Sequence, residues 1–93
     1  MDPTRQAIYE CIQAAFADAG LNAVTSPEQV INWPPIPDDV KTQIAISIRN
    51  CIQQNLGTNL GGLVGVIINA AQMEPAMPVK HLIEIIFQMV QQA

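Results

Sequence analysis

Apolar side chains recur along this chain at three- and four-residue intervals, and the stretches that carry this rhythm are separated by proline and glycine. In the first stretch Ile8, Cys11, Ile12, Ala15, Phe16 and Ala19 share one face, with Tyr9 at its edge and Gln6, Glu10 and Gln13 opposite. Asp2 can cap free amides, Pro3 suits a first helical position, and Gly20 is placed to end the segment in a left-handed cap. These signals predict a helix over 3–19. Val40, Ile44, Ile48, Cys51, Ile52 and Leu56 define a second helix over about 38–55, opened by Asp38 and Asp39 and closed by Gly57. Ile46 falls in the middle of its polar face.

A third helix is predicted over about 59–73, capped by Thr58 or Asn59. It is apolar over most of its circumference, and Gly61, Gly62, Gly65, Asn69 and Gln72 share the remaining arc. This places it at the centre of the domain. Pro78 opens a fourth helix over 78–92, in which Val79, Leu82, Ile83, Ile85, Ile86, Phe87, Met89 and Val90 spread over about 200° of the helical wheel. Lys80 and Glu84 can pair across one turn.

The connection from Leu21 to Pro37 is long for a helical bundle and should carry structure of its own. Ser26-Pro27-Glu28-Gln29 fits a capping box, which predicts a short helix over 27–32. Three prolines in Trp33-Pro34-Pro35-Ile36-Pro37 force an extended path. Trp33 and Ile36 then either plug one end of the bundle or offer a proline-flanked ligand to a partner's aromatic groove. Ile46 is a further candidate contact. The fold class expected is all-α: one domain over 1–93, a small orthogonal or antiparallel bundle of four main helices plus one short helix, with no sheet.

Composition narrows the function. Charged residues make up 13% of the chain, about half the share usual in soluble domains, and polarity comes from glutamine and asparagine instead. The formal net charge is −4, and the basic residues Arg5, Lys41, Arg49 and Lys80 are far apart, so no phosphate footprint for nucleic acid is expected. The N-terminus has neither the order of a secretion signal nor the bias of a transit peptide, and no apolar run is long enough to span a bilayer. A cytoplasmic protein with no membrane contact is expected. Cys11 and Cys51 match no zinc or redox spacing, and both lie on apolar helix faces. They read as small buried thiols kept reduced, with a disulfide between the first and second helices as the alternative.

Candidate chemistry is sparse. His81 lies on a polar strip away from both thiols, Asp38-Asp39 is explained by capping, and Asn59-Leu60-Gly61-Gly62-Leu63-Val64-Gly65 lacks the lysine and the preceding strand of a phosphate loop. The size, acidity and long first connection resemble a carrier protein bearing a phosphopantetheine arm. Such carriers attach the arm to a serine at a helix start, where this chain reads Thr58-Asn59-Leu60, and its only serines are Ser26 and Ser47. Death-fold adaptors are similar in size and lack an active site, an analogy of fold alone.

The expectation is a non-enzymatic helical interaction or self-assembly module without cofactor or metal, forming a homodimer. Its interface would be Gly61, Gly62, Gly65, Asn69, Gln72, Ile85, Ile86, Phe87 and Met89. The alternatives are a carrier-like domain or small enzyme using Ser26, Cys11 or His81, and a death-fold-like adaptor.

Overall fold

The computed structural model describes all 93 residues, in the order α1 (Pro3–Asp18), β1 (Val30–Asn32), α2 (Asp38–Leu56), α3 (Leu63–Met73), β2 (Ala76–Pro78) and α4 (Val79–Gln92). Helix α1 starts as its sequence dictates, because Asp2 is extended and its Oδ1 accepts the Arg5 N–H at 2.8 Å. It ends at Gly20, whose φ of +73° lets the Leu21 N–H reach the Phe16 carbonyl and the Gly20 N–H reach Ala17. Helix α2 stops in the same manner at Gly57, with φ +65°.

The core is one cluster of 22 buried residues, all apolar. Ile8, Ile12 and Phe16 of α1 meet Ile44, Ile48 and Ile52 of α2, and α4 adds Leu82, Ile83 and Ile86. Each such side chain contributes about 1.5–3 kcal/mol through its removal from water. Trp33 closes the core at 1% exposure, its ring tilted against Phe16 at a centroid distance of 6.0 Å. The tryptophan is therefore the plug, and it is not accessible to a partner.

Five expectations from the sequence are corrected. No helix forms over 27–32: the Ser26 hydroxyl accepts the Glu28 N–H, the Gln29 N–H turns back to the Ser26 carbonyl, and the chain then enters β1. The fold is mostly helical with four helices, but all-α only approximately, since a small sheet is present: β1 pairs antiparallel with β2, Ile31 opposite Met77. Helix α3 begins at Leu63 and not near Asn59, because Gly61 and Gly62 disfavour a first turn and no side chain caps it. Nor is α3 central. It buries only Leu63, Ile67 and Ala71 and packs chiefly on α2. Asp38 is the first residue of α2 and makes no side-chain capping bond, since the cap position is Pro37.

The small sheet obeys the proline rules. Hydrogen bonds from Trp33 N–H to Pro75 O and from Val79 N–H to Gln29 O bracket the ladder. By alternation the backbone groups of Ile31 and Met77 face each other, so Pro78, opposite Val30, lies where no donor is required. Ile31 and Met77 are buried, which ties the first connection to the start of α4.

Candidate functional site

The glycine arc of α3 lies on the outside of the molecule. Gly61, Gly62, Gly65, Asn69 and Gln72 are all exposed, and a Cβ added at any of the three glycines would meet nothing within 4 Å. At 100° per residue Gly62, Gly65, Val66, Asn69, Gln72 and Met73 fall within one arc of about 120°. No charged residue interrupts it. Met73 is 78% exposed, more than any other large apolar side chain. The sequence signal for it was its i+4 relation to Asn69, masked by the assignment of α3 to the centre. Gln72 also borders a shallow hollow between α3 and α2, with Asp38, Lys41, Thr42 and Ile68.

The expected contribution of α4 is smaller. Ile86 is fully buried in the core and unavailable to a partner, because it lies at the middle of the stripe formed by Val79, Leu82 and Ile83. Ile85 and Met89 are half-buried on one flank of that stripe, and Phe87 is half-buried on the other. Phe87 already has a cover: the Arg5 guanidinium sits 3.7 Å from its ring centroid. Arg5 is held there by Glu84, through bonds of 2.6 and 3.0 Å, and by Asp2. Glu84 thus pairs with α1 and not with Lys80. The guanidinium holds the Glu84 carboxyl below the usual carboxylate range, and the Arg5 N–H does the same for Asp2.

Of the remaining candidates, Ile36 is half-buried against the core, while Ile46 remains at 37% exposure on the outer face of α2. Ser26, Cys11 and His81 are not brought together. Ser26 bonds Glu28, and His81 Nδ1 contacts the Glu74 carboxylate. Cys11 is bonded to Cys51, with 5.6 Å between their Cα atoms, so the thiols expected to stay reduced form a disulfide. Asn55 Nδ2 donates to Cys51 Sγ at 3.2 Å. No group of three or more His, Cys, Asp or Glu is placed to hold a metal ion, and no helix is long and apolar enough to cross a membrane.

No protein-family profile matches the chain, and no curated protein or solved structure is measurably similar to it.

Proposed function

We propose that this chain is a non-enzymatic helical interaction module that forms a homodimer through the glycine arc of α3. One observation carries the reading. Gly20 and Gly57 adopt positive φ, which explains their identity, whereas Gly61, Gly62 and Gly65 have neither a positive φ nor a neighbour that a Cβ would strike. Gly62 stands at the N-cap, where glycine is common, so Gly65, the third residue of α3, is the unexplained one; glycine within a helix costs up to about 1 kcal/mol relative to alanine. A second backbone approaching that face would give the missing reason. Asn69 and Gln72, exposed beside it, can exchange hydrogen bonds across a two-fold axis, and Met73 supplies apolar area. Ile85 and Met89 of α4 can widen the contact.

Cytoplasmic residence is compatible with this module only with Cys11 and Cys51 as thiols, since reducing compartments keep such bonds open. Sedimentation equilibrium across micromolar concentrations tests the proposal. The wild type should dimerise, and Gly65→Leu should weaken association at least tenfold while leaving the monomer folded. A compact monomer at every accessible concentration would overturn it.

A further inference from the structure

We infer that a groove beside the open edge of β1 binds an extended, uncharged peptide segment of a partner protein by adding it to the sheet as a third strand. The ladder uses the backbone groups of Gln29, Ile31 and Trp33 on the β2 side, so by alternation the N–H and C=O groups of Val30 and Asn32 point to the opposite edge. No protein group bonds them there. They form two donor and acceptor pairs about 6.6–6.8 Å apart, the repeat that every second residue of an extended chain can meet. Such an edge is a template for another strand.

The space along this edge is already shaped. A groove of about 360 Å³ runs between β1 and the connection that follows α1, and Phe16, Leu21, Val24 and Ile36 line it with apolar surface. That volume is near the lower end of ligand sites, enough for a short segment and not for a folded element. Its far wall is pinned: Gln13 Nε2 donates to the Val24 carbonyl at 2.9 Å, and Gln29 Nε2 donates to the Ala23 carbonyl at 3.0 Å. On the facing side, the main-chain groups of Val30 and Asn32 are unbonded and stand at strand spacing.

Three features define the occupant. The free groups are main-chain pairs at strand spacing, which an extended peptide satisfies and a small apolar molecule does not. None of the groove residues is charged, in a chain of net charge −4, so the seated residues of the peptide are uncharged. Alternate side chains enter the groove and should be apolar. The groove uses no residue of α3 or α4, so this site is separate from the proposed dimer face.

The test uses the full chain and an acetylated, amidated octapeptide that alternates valine with threonine, followed by amide NMR. Binding should shift the Val30 and Asn32 amide protons and protect them from exchange. The same peptide N-methylated at alternate residues should bind at least tenfold more weakly, as should one with lysine in place of valine. Asn32→Pro removes one edge donor without touching the β2 ladder and should also weaken binding at least tenfold. The methylated peptide keeps the test decisive if that variant fails to fold. Equal binding of the methylated peptide would show a pocket for side chains or small apolar molecules only. That result, or the absence of any shift at Val30 and Asn32 with millimolar peptide, overturns the inference.

Discussion

Opening the Cys11–Cys51 bond should lower stability by an amount that the topology sets. The bond spans a sequence separation of 40 residues, and loop-closure entropy for a ring of that size corresponds to about 4 kcal/mol at 25 °C. The reduced chain should still fold, because α1 and α2 remain joined through Ile8, Ile12, Ile44, Ile48 and Ile52, all fully buried. For a domain of this size total stability is about 5–14 kcal/mol, so the loss is a large fraction of it. It corresponds to a fall in melting temperature of about 15–30 °C. Circular dichroism melts with and without a phosphine reductant measure this directly, with intact mass after alkylation confirming two free thiols. Cys11→Ala combined with Cys51→Ala should fall at least as far, since it also removes buried sulfur. A melting point that moves by less than about 5 °C after verified reduction would refute the reasoning. The segment between the cysteines would then already be restricted in the unfolded chain.

Gly65→Ala should raise monomer stability by about 1 kcal/mol in urea unfolding, since the helix gains a better residue and the new methyl meets no neighbour; a loss would show that the site is crowded. Asp2→Ala should cost about 0.5–2 kcal/mol and Asp38→Ala distinctly less, because only Asp2 accepts a backbone N–H. Equal losses would contradict the capping geometry. Trp33→Ala should cost about 3–5 kcal/mol in the same assay, as its ring is fully enclosed. The acid limb follows from Asp2 and Glu84, whose folded-state carboxyl values are lowered. Their stabilisation is complete above the ordinary carboxylate value of about 4 and is lost as pH falls through the depressed values. Urea midpoints should therefore decline below about pH 4, and Glu84→Gln should make that decline shallower; an unchanged slope would show that Arg5 does not hold Glu84 in solution.

The helices that pack on one another most were legible because their signals are local. Asp2, Pro3 and Gly20 bound α1, and Asp38 and Gly57 bound α2, within a residue or two of the structure. The sheet was not legible. Val30–Asn32 and Ala76–Pro78 are too short for a period, and their pairing is a long-range choice. Ser26 does not form the capping box: its hydroxyl accepts the Glu28 N–H instead of that of Gln29, and the Gln29 side chain goes to Thr25, so the chain turns there instead of starting a helix. The glycine arc was found from the wheel, whereas its direction was not. High hydropathy placed α3 at the centre, yet Trp33 and the stripe of α4 already fill that space. In α4 the wheel grouped Ile86 with Ile85 and Phe87, and only the position of the stripe's centre separates a core residue from its flanks.

Pro78 gives the small sheet a direction of growth. On the outer edge of β2 it provides a carbonyl and no amide, which leaves Ala76 as the one donor there, whereas the outer edge of β1 has a donor at both Val30 and Asn32. Polymerisation by strand stacking needs each copy to offer two competent edges, one to receive and one to be received. This chain has one. An added strand therefore terminates the series, and the protein can present an adhesive edge at high concentration without seeding a fibre from it.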